Sequence, residues 1–467
     1  MHAAMARMKS MTYVVVVKMD GRGLNLKWII LAAAMASLVP GAALAQTTPP
    51  PQSADSTARL DRRAGELIAI FNGGGDVAAT FAPEFLAQIP EAQIRAIAVQ
   101  LTAQLGKAVK AASLKPAGAS RAALVIGFEK GTATMQVALD PGPTGKIAGL
   151  RITGTQTAAV AGIATLADLA AAFATLPGQA GFVVADLAPK AAPLAALAPD
   201  RPLAIGSTFK LVILAELVRA IDAGTRKWDD AIPLDGTELP AGGFNQLPKG
   251  TTVPLRALAE AMIKVSDNSA TDVLIRTLGR QKVEAMQAQV GIKAPAANLP
   301  FLTTMELFKL KGVAQGALGR RYLALEVEGK RKLLAGEVAT TPGSAIGALF
   351  ADGKPVLTDQ LEWFASPADL ARVMAWLDAH RTTAGGKEAL RILAINPGPA
   401  AALAKRFAYV GYKGGSEPGV VSMTVLVRDK QDRARVVSAS WNNPAAGVDE
   451  MTLAALVSRA VELLDKP

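Results

Sequence analysis

Composition excludes several kinds of catalytic site. The chain has 467 residues, 51% of them hydrophobic, no cysteine and only two histidines, His2 and His380. Without cysteine there can be no disulfide, thiolate nucleophile or Cys-bound zinc. Two histidines do not make a multi-histidine metal site, and a Ser-His-Asp triad would depend on His380 alone. The net charge of +11 comes without a dense basic run interleaved with aromatics, so we expect no nucleic-acid partner. We also expect no metal and no cofactor.

The N-terminal segment has the pattern of an export signal. Lys27 is followed by the apolar run WIILAAAMASLVPGAALA, which ends in the small-x-small site 43–45. Pro40 interrupts the run, which favours a cleaved signal over an uncleaved anchor of about 20 apolar residues. We therefore predict a signal peptide with an over-long start over residues 1–45 and a linker over 46–56. The mature protein would be periplasmic or secreted, without a stable membrane anchor.

Residues 57–155 have the pattern of a small α+β domain. Two helical patterns are followed by four strand-like runs with Gly, Pro and Asp turn signals between them. The predicted helices are Ala58–Phe71 and Glu91–Leu105, and the strands lie near 107–112, 122–128, 132–139 and 146–152. The order and size resemble the cone-shaped isomerase-like domains that precede some serine hydrolases. We expect this unit to act as a structural or binding partner of the C-terminal part of the chain.

Residues 156–467 have strand patterns at both ends and helical patterns between them. A buried strand is predicted over 181–186, a long apolar helix over 211–223, a strand pair over 419–427 and 435–441, and a closing helix over 451–464. Strands from the two ends of a unit can form one sheet, which the intervening helices would cover.

The stretch AIGSTFKLVILAELV contains an S-x-x-K pattern, Ser207 and Lys210, where the apolar helix begins. Positions i and i+3 share a helix face, so the lysine amine can come within hydrogen-bonding reach of the serine hydroxyl. An apolar environment lowers the pKa of a lysine, and the neutral amine can then take the serine proton. Taken singly, the pattern also fits a helix N-cap serine beside a solvated lysine.

Two further patterns come later in the chain in a fixed order. An S-D-N triplet occupies 266–268, between two helical patterns, and Lys413, Gly414 and Gly415 open a C-terminal strand. Singly, the triplet also fits a helix N-cap and the glycines also fit a turn. Together, S-x-x-K, S-D-N and K-x-G favour one shared site over three coincidences.

With these motifs, residues 181–467 resemble the penicillin-recognising serine hydrolases, and most of all the class A β-lactamases. STFKL with its helix, SDNSATD, and SPADLARVMAWL all resemble their counterparts there. The resemblance implies an α+β fold, in which a β-lactamase-like domain of antiparallel sheet plus helical region comes after the small α+β domain. It also implies that Ser207 is the acylated nucleophile, Lys210 its base or relay, and Ser266 the proton shuttle to the leaving nitrogen.

The same resemblance assigns the substrate-binding groups. Asn268 would orient the catalytic lysine and the substrate amide, and Lys413 would supply positive charge for an anionic substrate group. Gly415 and Ser416 would complete the binding strand. The backbone N–H groups of Ser207 and Ser416 would form an oxyanion hole, each donor lowering the barrier by about 3 to 4 kcal/mol.

The sequence departs from the class A pattern at two places. The K-T-G triplet is replaced by Lys413, Gly414 and Gly415, which removes a hydroxyl expected to bind the substrate carboxylate, and Ser416 is its candidate substitute. No E-x-x-L-N follows Asn298, and the nearest carboxylate candidate, Glu306, also fits a structural helix glutamate. Acylation is therefore better supported than rapid deacylation.

These observations predict an exported serine hydrolase that forms an acyl-enzyme on Ser207. Hydrolysis of β-lactams (EC 3.5.2.6) is the first interpretation, with a small-molecule or peptide-like acyl substrate. The alternatives are an esterase or peptidase of the same fold and a non-catalytic binding protein that retains the fold.

Overall fold

The chain forms two compact units, Met1–Ala158 and Ala159–Pro467. The computed structural model describes residues 11–17, 28–34, 54–117, 120–142, 144–157, 160, 162–188, 191–347, 349–350 and 353–465. The predicted cleavage site after Ala45 lies outside these residues. Of the segment predicted to be the signal and its over-long start, β1 (Met11–Val17) is described and pairs antiparallel with β2 (Trp28–Ala34). No described helix is long and apolar enough to cross a membrane.

The first unit has helices packed on one face of an antiparallel sheet. Its helices are α1 (Ala54–Phe71), α2 (Val77–Thr80), α3 (Pro83–Gln88) and α4 (Glu91–Leu105). Its strands, in sheet order, are β3 (Ala108–Pro116), β4 (Arg121–Phe128), β5 (Gly131–Leu139) and β6 (Ile147–Thr157). Residues 54–56, predicted as linker, are instead the first turn of α1, because no proline lies between Pro51 and Ala58 to interrupt the helix.

The second unit is built on a five-stranded antiparallel sheet. Its long strands are β7 (Gln179–Asp186), β13 (Tyr409–Glu417), β14 (Val420–Arg428) and β15 (Ala434–Asn442). The spatial order is β13-β14-β15-β7-β8, with β8 at Ala195–Leu197, so a strand from the start of the unit pairs with strands from its end. The prediction that strands from the two ends of this unit form one sheet is confirmed. One of the two edge strands of this sheet is β13, which carries the K-x-G residues.

The other elements of the second unit are short strands and helices, and most of them lie between β8 and β13 along the chain. The short strands are β9 (Leu203–Ala204), β10 (Ala231–Pro233), β11 (Thr252–Pro254) and β12 (Phe364–Ala365). The helices are α5 (Leu166–Ala174), α6 (Lys210–Asp222), α7 (Leu255–Lys264), α8 (Asn268–Leu278), α9 (Arg280–Gln289), α10 (Thr304–Gly312), α11 (Ala317–Leu323), α12 (Val327–Leu333), α13 (Pro367–Ala379), α14 (Ala384–Leu393) and α15 (Glu450–Leu464).

The sheet separates two hydrophobic cores. On one face, α5 and α15 pack on buried side chains such as Phe182 and Val425. On the other face, Val183 and Leu426 belong to a larger core that includes most of α6. Successive residues of a strand point to opposite faces, so the near-continuous apolar runs of these strands are what a sheet buried on both sides requires. The helix α6 is buried almost all round, which fixes its first residue, Lys210, inside the unit.

Candidate active site

Ser207 lies at the start of the buried helix. A short 3₁₀ turn, Gly206–Phe209, leads directly into α6, and the backbone N–H of Lys210 donates to the carbonyl oxygen of Ser207. In a 3₁₀ turn the side chains of residues i and i+3 eclipse one another, so Ser207 and Lys210 project in one direction. Ser207 is half-buried, whereas Lys210 has 0% exposure.

The Lys210 amine contacts the S-D-N triplet. Its Nζ lies 2.6 Å from the carbonyl oxygen of Ser266, 3.2 Å from Ser266 Oγ and 2.7 Å from Asn268 Oδ1. The structure thus brings the first two motifs together across α6 and α8. Among the described residues, the hydroxyl of Ser207 makes no hydrogen bond, so the direct Ser207–Lys210 bond that the motif permits is not formed here.

Burial disfavours the charged form of Lys210. It lowers the pKa of Lys210 well below its usual value, and the nearby charge of Lys413 lowers it further, while Asp272 and Asp267 act in the opposite direction. A neutral amine has two protons and one lone pair. The carbonyl oxygen of Ser266 and the Asn268 amide oxygen can only accept, so they take the two protons. The lone pair is left for a hydroxyl, which in this arrangement is that of Ser266.

Lys413 approaches the same serine from the sheet. Its Nζ donates to Ser266 Oγ at 3.1 Å and also contacts the carbonyl oxygen of Gly414. Lys413 is 3% exposed, and burial lowers its pKa to about 7, against an opposing contribution from Glu450. Its positive charge is therefore present below pH 7 and lost above it. Ser266 Oγ lies between two lysine amines and is placed to pass a proton.

The loop before α8 is held in a strained conformation. Ser266 has a φ of 58°, a left-handed conformation that costs a non-glycine residue about 1 to 3 kcal/mol. Asp267 offsets this cost as the N-cap of α8. Its carboxylate accepts hydrogen bonds from the backbone of Ala270 at 2.8 Å, the hydroxyl of Ser269 at 2.6 Å and the backbone of Gly243 at 2.5 Å. The middle residue of the triplet thus positions its two neighbours.

Gly415 allows β13 to lie against the 3₁₀ turn that carries Ser207. A Cβ at this position would overlap the backbone nitrogen of Ser207 and stand 2.5 Å from Ile205 O. A Cβ at Gly206, where φ is +47°, would stand 3.1 Å from the backbone nitrogen of Ser416. The amides of Ser207 and Ser416 therefore lie on two backbones in close contact, the arrangement that a two-donor oxyanion hole requires.

Comparison with known protein families assigns the second unit to one of them. The profile of the Beta-lactamase enzyme family matches residues 164–462, which span the second unit. The chain belongs to the Beta-lactamase enzyme family. A search of curated proteins found no match.

Among solved structures, the beta-lactamase of Sphaerobacter thermophilus is 21% identical to this β-lactamase-family chain, over 64% of this chain and 96% of its own, with a TM-score of 0.45. The beta-lactamase of Chitinophaga pinensis is 16% identical over the same shares, with a TM-score of 0.43. A PBP-A mutant, described as an acyl-enzyme complex with penicillin G, is 18% identical over the same shares, with a TM-score of 0.42.

Two other sequence candidates have structural contacts in this family member. Glu306 forms a capping box with Thr303 at the start of α10, and its two oxygens accept from Arg280 at 2.6 and 2.9 Å. His380 ends α13, where its Nδ1 lies 2.8 Å from the carbonyl oxygen of Trp376. No group of three or more His, Asp or Glu residues that could hold a metal ion occurs in the described chain.

Asn442 positions the segment that leads to Ser207, and the sequence patterns did not indicate it. Its side-chain amide donates to the carbonyl oxygen of Ala204 at 2.9 Å and accepts from the backbone N–H of Ala204 at 2.7 Å. This pair ties the last residue of β15 to β9, three residues before Ser207. A buried amide at the end of an apolar strand was the available signal, because buried polar groups need partners.

A buried ionic cluster at the end of β13 was also missed. Lys311, on α10, has a side-chain exposure of 0%, and the side chains of Glu362 and Glu417 are 1% and 7% exposed. Lys311 Nζ lies 3.1 Å from Glu362 Oε1 and 2.5 Å from Glu417 Oε1. Burial, followed by the charge of Glu362, raises the pKa of Glu417 well above its usual range. Burial therefore disfavours a second negative charge beside Lys311, and Glu417 is the carboxyl group whose charged form it disfavours.

This charge state predicts a non-additive pair of substitutions. In either Glu362→Gln or Glu417→Gln, the remaining carboxyl group can ionise and pair with Lys311, so we expect each to change the free energy of unfolding at pH 7 by less than about 1 kcal/mol. The double variant leaves a buried cation unpaired and should cost about 3 to 5 kcal/mol. Urea denaturation of the four proteins measures this. If each single variant instead lost much of the free energy of unfolding, and the two losses added up in the double variant, both carboxyl groups would be ionised.

Proposed function

We propose that the second unit is a serine hydrolase that opens β-lactams through an acyl-enzyme on Ser207. The observation that carries the proposal is the buried amine of Lys210, which projects with Ser207 and contacts both Ser266 and Asn268. A lysine without solvent and without a carboxylate partner in hydrogen-bonding contact is poised to be neutral, which a general base must be. Membership of the Beta-lactamase enzyme family supports the same reaction class.

The proposed acylation uses the site residues in sequence. Ser207 Oγ attacks the lactam carbonyl carbon as its proton passes to Lys210 Nζ, and the N–H groups of Ser207 and Ser416 stabilise the oxyanion. The C–N bond then breaks. The proton moves from Lys210 through Ser266 Oγ to the departing nitrogen, which leaves the opened substrate esterified to Ser207. Water later cleaves this ester and restores the serine.

Deacylation is the slower step in this proposal. Both oxygens of Glu306 already accept from Arg280, and one of them also accepts from the backbone N–H of Thr303 at 2.8 Å. A carboxylate whose two oxygens are both engaged in this way is not free to orient an attacking water. We therefore expect penicillin G to leave an adduct that persists long enough for intact-mass measurement, with a lifetime that Glu306→Gln changes little. Rapid wild-type turnover that Glu306→Gln abolishes would contradict this assignment.

An esterase of the same fold is the second candidate, and Gly414 is the observation that favours it. The threonine of the K-T-G pattern provides a hydroxyl that can bind a substrate carboxylate, and Gly414 does not. A reporter cephalosporin and a simple neutral ester separate the two activities. Preferential turnover of the ester would favour the esterase or a related peptidase, and failure of every acylating probe to label the protein would favour a binding protein.

We also propose that the protein is exported and acts outside the cytoplasm on a small-molecule or peptide-like acyl substrate. The support is the apolar run with its small-x-small site at 43–45 and membership of the Beta-lactamase enzyme family. N-terminal sequencing of protein from its native host should begin near Gln46, and a start within residues 19–40 would contradict cleavage there. The first unit is proposed as a structural or binding partner with an isomerase-like form.

A further inference from the structure

The ring of Tyr412 fills the space beside Gly414, the middle residue of the K-x-G motif. A Cβ at Gly414 would overlap the Tyr412 hydroxyl and stand 2.7 Å from Cζ, the ring carbon that carries it. A Cβ at Gly398 would overlap the other edge of the same ring. Residues 412 and 414 lie on the same face of β13, because alternate residues of a strand share a face. Two glycines thus leave the room that the ring fills.

Two polar groups meet at Gly414. The Lys413 ammonium contacts its carbonyl oxygen, and the Tyr412 hydroxyl lies where its side chain would begin. Within the described chain, that hydroxyl makes no hydrogen bond. Burial raises the pKa of Tyr412 far above neutrality, so the hydroxyl keeps its proton and can donate it to a ligand. Since β13 is an edge strand of the sheet, the outer edge of this segment has no neighbouring strand among the described residues.

We propose that the Tyr412 hydroxyl replaces the hydroxyl that is absent at Gly414 and, together with Lys413, binds the carboxylate of an anionic acyl substrate. This inference rests on the proposed function. A phenolic O–H and an ammonium are both donors, and hydrogen bonds to an ionised carboxylate are about twice as strong as those between neutral groups.

Ser416 is the rival source of this hydroxyl. Like Tyr412, it is two residues from Gly414 on the same face of β13, about 6.7 Å along the strand, but a serine side chain is too short to span that distance. Its side chain is exposed, and it is not among the atoms that a Cβ at Gly414 would meet first. The Tyr412 hydroxyl lies directly at the vacant position, so the structure favours tyrosine over serine.

The negative charge of Glu450 opposes the binding of an anionic ligand between Tyr412 and Lys413. It is the first residue of α15, is exposed, and its negative charge raises the pKa of both Tyr412 and Lys413. A carboxylate that is close enough to act on both groups also repels an anionic ligand bound between them. Removal of this charge should therefore tighten the binding of the anion, whereas a neutral ligand should not respond.

Equilibrium binding to a Ser207→Ala background tests the proposal without any acylation step. The probes are penicillin G, which carries the carboxylate, and its methyl ester, which does not. We expect Tyr412→Phe to weaken binding of penicillin G by about 10- to 100-fold, the usual loss of one hydrogen bond to a charged group, and to leave the ester unchanged. Glu450→Gln should tighten penicillin G alone.

Two further variants control the result. Tyr409→Phe removes a hydroxyl from the opposite face of the same strand, where it donates to Leu390 O at 2.9 Å, and should leave both affinities unchanged. The double variant Tyr412→Ala with Gly414→Thr clears the ring and supplies a threonine hydroxyl, which should restore the preference for the carboxylate. This rescue separates a binding role from a purely structural one.

Three outcomes would overturn the inference. They are an equal effect of Tyr412→Phe on both probes, a selective loss of penicillin G in Ser416→Ala instead, and no binding of either probe. Labelling of Ser207 in the protein with its serine intact tests the proposed function separately. If Ser207 is labelled while Tyr412→Phe binds penicillin G normally, only the role of Tyr412 fails.

Discussion

Lys210→Ala is expected to slow the acylation of Ser207 by about 100- to 10,000-fold, the usual contribution of a general base. The variant should remain folded, because the side chain it removes is a polar one whose burial disfavours its charged form. Lys210→Arg is the matched control. An arginine stays positively charged and does not lose its proton, so it should acylate as slowly as the alanine variant. The rate of adduct formation by intact mass spectrometry measures both.

The pH dependence of acylation separates the two lysines. Lys210 must be neutral, so the rate should fall as the pH drops below its lowered pKa. Lys413 must be charged to attract an anion, so the rate with an anionic β-lactam should also fall as the pH rises through about 7. With a neutral ester, the acylation rate should fall at low pH but not as the pH rises through about 7. A Lys210→Ala protein that acylates at the wild-type rate would contradict the assigned base.

Gly415→Ala should reduce acylation by about 100- to 1,000-fold, the effect of losing one oxyanion donor. The added methyl group would overlap the backbone nitrogen of Ser207 and stand 2.5 Å from Thr208 N, so the turn and the strand must separate. Because the obstacle is backbone, a side-chain rotation cannot relieve it.

Gly411→Ala is the control for this substitution. It lies on the same face of β13, but its methyl group would meet the hydroxyl end of Tyr409, a side chain that can move. We expect Gly411→Ala to acylate at close to the wild-type rate. Wild-type acylation by Gly415→Ala, measured with the same penicillin probe, would show that the oxyanion donors do not depend on this close contact.

The fold could be predicted from the sequence because its signals are local. The apolar helix predicted over 211–223 is observed as Lys210–Asp222, and the strand pair predicted over 419–427 and 435–441 is observed as Val420–Arg428 and Ala434–Asn442. Periodicity is a property of consecutive residues, and turn residues mark where it stops. The helices α10 to α12 follow Asn298, where the E-x-x-L-N pattern is missing, and they were not predicted.

The contacts within the site were only partly accessible from the sequence. Motif order grouped Lys210 with Ser266 and Asn268, but it could not show that the lysine contacts the triplet and not Ser207. Nothing local to Asn442 indicates that its partner is Ala204, 238 residues away. Likewise, the room for Tyr412 depends on two glycines in different segments. Such pairings arise from tertiary packing, which one sequence does not encode at any single position.

Acylation of Ser207 by penicillin-type substrates is the step on which the proposed function depends. Its most direct test is to incubate the protein with penicillin G, measure the intact mass, and map the modified peptide, beside the Ser207→Ala variant. We predict one adduct of the mass of the intact β-lactam, carried by Ser207 and absent from Ser207→Ala. An adduct on any other residue, or equal labelling of the two proteins, would contradict the proposed acyl-enzyme.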